Sequence, residues 1–139
     1  MRKKKILIID DEPDVVTYLS AVLVSNGFEA FSISEAANAM NKVCEVKPDL
    51  ICLDIVMPKE TGISFYSKLR QDKKCGKIPV IIISGVVESE KFDFRSYIQD
   101  DSIPPPEYYL EKPIDVVGFI KKINELTSNK KLTKKLRAS

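Results

Sequence analysis

Short unbroken apolar runs alternate along this chain with longer stretches in which apolar residues recur every three or four positions. Lys4–Ile9, Leu50–Leu53 and Val80–Ile83 are rich in Ile, Leu and Val. Runs of that length without polar alternation predict strands buried on both faces. Two further strands are expected at Phe28–Ser32 and Tyr108–Glu111. Between them the spacing predicts helices. Pro13 opens the first, with Val15, Val16, Leu19, Val22 and Leu23 on one face and Asn26-Gly27 as its stop. Ser34 is expected to cap a second, carrying Ala36, Ala37, Met40 and Val43 and ended by Pro48. A third begins at Gly62 with Ile63, Tyr66 and Leu69 on one face. A last one begins near Asp115 with Val116, Phe119, Ile120, Ile123 and Leu126. Strands separated by helices predict an α/β fold, a doubly wound parallel sheet covered on both faces.

One stretch resists the pattern. Between Gly85 and Tyr108 only Phe94, Tyr97 and Ile98 fit a helical face, and Pro104-Pro105-Pro106 excludes helix interior. Val86–Glu107 is therefore expected to hold an atypical, weak fourth helix followed by an irregular loop. Leu132 and Leu136 do not continue the apolar face that contains Ile123. Residues 128–139 are accordingly expected to be a frayed basic tail behind one domain over 1–127.

Composition narrows the function. The chain has 139 residues, 44% of them apolar, enough for a single ordinary core. Its net charge of +2 conceals an asymmetry, because nine basic residues crowd the two ends, Arg2–Lys5 and Lys130–Arg137. The body between them carries 13 basic against 20 acidic residues, about −7. Specific nucleic-acid binding is not expected. No apolar run suits a signal peptide or a membrane span, which predicts a cytoplasmic protein without a membrane partner. There is no histidine, and Cys44, Cys52 and Cys75 lack metal or redox spacing, so they read as buried or incidental thiols.

The chemistry lies where the predicted strands end. Asp10-Asp11, Asp54, Ser84 and Glu111-Lys112 each follow or close a strand. In doubly wound sheets ligands bind beyond the carboxyl ends of the strands. Like charges about 4 Å apart repel by roughly 4 kcal/mol at an effective dielectric near 20, so such crowding points to a cation rather than to stability. Carboxylates with a few waters suit Mg²⁺. A carboxylate at the centre of the crevice is a nucleophile able to form an acyl phosphate. Lys112 and Ser84 would then neutralise and hydrogen-bond the transferring oxygens.

These residues make the chain resemble the receiver domain of two-component response regulators over about residues 4–126. The matching residues are Asp10-Asp11, Asp54-Ile55-Val56-Met57-Pro58 with Gly62 following, Ser84-Gly85, and Tyr109 ahead of Lys112-Pro113. The resemblance implies a flavodoxin-like, five-stranded parallel sheet of order 2-1-3-4-5. It implies that Asp54 is the phosphoacceptor. Asp11 and Asp54 would ligate Mg²⁺ (or Mn²⁺) directly with the Val56 carbonyl, and Asp10 would act mainly through bound water. Ser84 and Tyr109 match the switch pair, Lys112 the phosphate-binding lysine, and the Lys112–Pro113 bond is commonly cis in such domains. The interval from Ser84 to Lys112 is longer than usual, and Val56 offers the phosphate no polar side chain.

The implied partners are a sensor histidine kinase or histidine phosphotransfer protein upstream and an unknown protein downstream. The implied role is that of a phosphoacceptor and not of a turnover enzyme. About a dozen residues follow the last predicted helix, so a stand-alone regulator and a receiver cut from a longer chain fit equally. Two alternatives are weaker. An aspartate-dependent phosphohydrolase typically carries a second acid two residues after its nucleophile, where this chain has Val56. A receiver-like binding module independent of phosphorylation needs none of Asp11, Asp54 and Lys112, and all are present.

Overall fold

Ile6–Ile9, Leu50–Leu53 and Val80–Ile83 are each at most 1% exposed. Runs so completely apolar must sit inside a sheet, where both faces are covered. In the computed structural model they do. It describes residues 2–54, 62–85, 95 and 98–138, with Ser84 and 129–138 described as backbone. The elements run β1 (Lys5–Ile9), α1 (Pro13–Ser25), β2 (Glu29–Ile33), α2 (Ala39–Val46), β3 (Leu50–Asp54), α3 (Gly62–Gln71), β4 (Val80–Ser84), β5 (Tyr108–Glu111) and α4 (Val116–Ala138). All strand pairs are parallel and the order is β2-β1-β3-β4-β5. The two strands with exposed and half-buried residues, β2 and β5, take the edges.

Alternation along each strand divides the core. Leu7, Ile9, Ile51, Leu53, Val80 and Ile82 face α2 and α3, meeting Val43, Phe65, Tyr66 and Leu69. Ile6, Ile8, Leu50, Cys52, Ile81 and Ile83 face the other way, meeting Leu19 and Leu23 of α1 and Phe119 and Ile123 of α4. The register pairs Ile9 with Leu53 and Leu53 with Ile82, which brings the carboxyl ends of β1, β3 and β4 level.

Local structure departs from expectation in three places. β2 lies one residue later than expected, at Glu29–Ile33. α2 starts at Ala39, not behind Ser34: residues 34–38 form a turn, in which the Ala39 N–H donates to Ala36 O and Ala36 is buried. An i to i+3 bond of this kind tightens the chain before the helix can begin. α2 ends as expected before Pro48, with Lys47 left-handed at φ 54°. The backbone of α4 is helical through Ala138, where a frayed tail was expected beyond 127. No proline or glycine follows Gly118, and the local sequence carries no stop. The weak helix expected after Gly85 falls largely outside the described residues.

The crossover from β4 to β5 is pinned at its far end. Ile98 and Ile103 are buried against α3. The Tyr66 hydroxyl donates to Pro104 O. Arg70, with its side chain 2% exposed, donates to Tyr66 Oη (2.9 Å), to Gly76 O (3.1 Å) and Ile78 O (2.6 Å), and to Glu107 Oε1 and Oε2 (3.1 and 2.8 Å). Glu107 Oε2 also accepts the Val80 N–H at 2.7 Å. A buried guanidinium needs this many acceptors, because an unpaired one would cost several kcal/mol.

Candidate functional site

β1 and β3 are neighbours, so the residue after one and the last residue of the other meet at one end of the sheet. Asp10 and Asp54 are 2% and 5% exposed there. One carboxylate oxygen from each of Asp10, Glu12 and Asp54 lies within 4.8 Å of the others. Glu12 was not expected. It is the residue ahead of α1, and with Pro13 at the first helical position its backbone forms the cap. Its side chain makes no capping bond to its own helix. It turns toward the sheet end instead. The signal was present as a third consecutive acid directly before a helix-opening proline.

Lys112 arrives from the loop after β5, behind which the Lys112–Pro113 peptide is cis. Its Nζ lies 2.8 Å from Glu12 Oε1 and 3.6 Å from Asp10 Oδ2. Burial alone would lower the Lys112 pKa. The hydrogen bond to Glu12 and the charges of Asp10, Asp54 and Glu12 outweigh it and hold the ammonium above its ordinary range. Asp10 moves the other way from a typical paired carboxylate. Desolvation raises it, with smaller contributions from Glu12 and Asp11, and this outweighs the Glu12 N–H bond (2.9 Å) and Lys112. A carboxylate so placed gains from a second positive charge.

Asp11 is half-buried beside this group and is not one of the three carboxylates brought together. Ser84 closes β4 opposite Glu111. Tyr109 sits on β5 opposite Ile82, on the face of the sheet that carries α3, and is 40% exposed. Val56, expected to offer its carbonyl, lies outside the described residues together with its neighbours 55–61. The donors present are hard oxygens in a crevice at the strand ends, and that set fits a divalent cation of the Mg²⁺ kind.

A family model of the response regulator receiver domain matches residues 6–124. The chain belongs to this family. It is 31% identical over 122 residues to the protein PilH of Pseudomonas aeruginosa, covering 86% of this chain and 94% of that one. It is 29% identical over 124 residues to the DNA-binding dual master transcriptional regulator RpaA of Synechocystis, covering 88% of this chain and 48% of that one. The first three curated relatives extend well beyond the match, which spans 36%, 48% and 58% of their lengths. The fold matches the chemotaxis protein CheY4 of Vibrio cholerae with a TM-score of 0.75 at 19% identity, over 90% of this chain and 99% of that one. The expected strand order of a flavodoxin-like receiver is thus the observed one. The expectation of no specific nucleic acid finds no support among these relatives, since DNA binding stands in the name of one of them. Among the described residues no helix is long and apolar enough to cross a membrane.

Proposed function

We propose that this receiver accepts a phosphoryl group on Asp54 from a phosphohistidine of a sensor kinase or phosphotransfer protein, and that the product is read by a downstream protein. The observation that carries the reading is the convergence of Asp10, Glu12, Asp54 and Lys112 at one sheet end. An Asp54 carboxylate oxygen attacks phosphorus, the bond to the donor breaks, and an acyl phosphate forms. Asp11 and Asp54, the Val56 carbonyl, and Asp10 through water would hold a divalent cation. Such an ion, when bound, offsets the charge of the transferring oxygens. Glu12 keeps Lys112 beside the crevice until the phosphoryl group arrives. Lys112 then exchanges a carboxylate for a phosphoryl oxygen, one anionic partner for another. Ser84 and Tyr109 lie at the two ends of the β4–β5 crossover and transmit the change.

In this reading the domain is a signalling phosphoacceptor whose only chemistry is its own phosphorylation and dephosphorylation. The test is incubation with acetyl phosphate and Mg²⁺. One phosphate labile to hydroxylamine is expected, and none in Asp54→Asn. Labelling of that variant at the wild-type level, or equal rates in Mg²⁺ and in excess EDTA, would remove the proposal.

A further inference from the structure

Cys44 and Cys75 are unrelated by sequence spacing, yet the fold sets them together. Cys44 is exposed on α2, and Cys75 lies in the turn between α3 and β4 with 9% of its surface exposed. Both side chains open onto the same pocket, and Cys44 is near enough to add to the upward shift of the Cys75 thiol. With Lys47, Pro48, Lys74 and Ile78 they line an open pocket of about 370 Å³. The turn is held in place by Asp72, whose Oδ1 accepts the Lys74 and Cys75 N–H groups at 2.8 Å each. Burial and then the Asp72 charge keep the Cys75 thiol above its ordinary range, so it stays protonated at neutral pH. The solvent-facing sulfur is the one an oxidant meets. Lys47 and Lys74 line the same pocket and offer positive charge to a departing hydroxide.

We propose that Cys44 and Cys75 form a peroxide-responsive disulfide, with Cys44 oxidised first and Cys75 as the resolving thiol. The oxidant is hydrogen peroxide or another small hydroperoxide. The Cys44 sulfur attacks a peroxide oxygen and the O–O bond breaks. Cys44 becomes a sulfenic acid and, from hydrogen peroxide, water leaves. The Cys75 sulfur then attacks that of Cys44. The S–S bond forms, the S–O bond breaks, and hydroxide departs with the Cys75 proton as a second water. Two thiols give up two electrons and two protons, and one peroxide is reduced. The loop so closed runs through β3 and α3 and contains Asp54. Cys52 takes no part, because it is 1% exposed within β3 and burial pushes its thiol far up.

The test uses the full chain, reduced, freed of reductant and treated with one equivalent of hydrogen peroxide. Remaining thiols are alkylated after unfolding and peptides are mapped by mass spectrometry. The expected result is an intact monomer lighter by two hydrogen atoms, a Cys44–Cys75 linked peptide, an alkylated Cys52, and full reversal by dithiothreitol. Cys44→Ser, at an exposed position that leaves the core intact, should lose the link and keep Cys75 alkylated. Wild-type protein in which Cys44 ends as a sulfinic acid beside a free Cys75 overturns the proposal. So does a product joined only through Cys44 to a second chain.

Discussion

Glu12 is the residue whose role the fold most changes. It is 59% exposed at the side chain, so its 2.8 Å contact with Lys112 is worth at most about 1 kcal/mol. If the proposed phosphoryl transfer holds, removing the Glu12 charge would free Lys112 to meet the donor sooner. Glu12→Gln is expected to speed labelling by acetyl phosphate up to about fivefold, with Mg²⁺ affinity by calorimetry little changed. Slower labelling together with weakened Mg²⁺ binding would make Glu12 a metal ligand instead. Tyr66 offers a second test, through pH. Burial first, and against it the Arg70 hydrogen bond and charge, pushes its hydroxyl from 10.0 up to about 12. The folded state therefore holds this proton more tightly than the unfolded chain. The stability it confers is complete below 10.0 and is lost as pH rises toward about 12. Across that window the loss is at most about 3 kcal/mol. Urea midpoints should fall more steeply above pH 10.0 in the wild type than in Tyr66→Phe, which keeps only the alkaline loss due to the other groups.

At the scale of elements, Arg70 ties α3, the turn before β4 and the start of β5 into one unit. Each tie replaces water that the buried guanidinium has lost, and Glu107 is its only anionic partner among the described residues. Arg70→Ala would leave Glu107, Tyr66 and two carbonyls short of a donor. It is expected to cost about 3 kcal/mol of unfolding free energy, read from urea denaturation. A loss under about 1 kcal/mol would show that water takes over the site. The pin sits at the amino ends of β4 and β5, away from the acidic crevice. Its effect on phosphorylation rate should be small at temperatures where the variant is folded.

Across the molecule, the same pin would bound any change that the proposed phosphorylation sets off. Ser84 and Tyr109 bracket the crossover, while Ile98, Ile103, Pro104 and Glu107 hold its later half to α3. Rearrangement on binding beryllofluoride, a phosphoryl mimic, should concentrate ahead of Ile98 and spare 98–107. Hydrogen exchange with and without the mimic measures this. Changes confined to Asp10, Asp11 and Asp54 would make the crossover a passive insertion and place the partner elsewhere. The basic amino end is also less free than its charge suggests. Arg2 pairs with Asp49 at 3.1 Å, and Lys4 donates to Thr127 Oγ1 at 2.9 Å, fastening the chain's start to α4.

The strands, their parallel arrangement and the acids at their ends were legible along the chain. An interior parallel strand has a local signature, an unbroken apolar run, and Asp10 and Asp54 adjoin such runs directly. The start of α2 was less legible, because Ser34 has cap chemistry but burial of Ala36 favours a turn there. The pairings between distant elements came instead from the folded arrangement. Glu12 pairs with Lys112 and Arg70 with Glu107, and Cys44 shares a pocket with Cys75, though no spacing relates the members of any pair. Their meeting depends on strand order and on how far each side chain reaches. Those quantities are set by packing, and no local stretch of the chain encodes them.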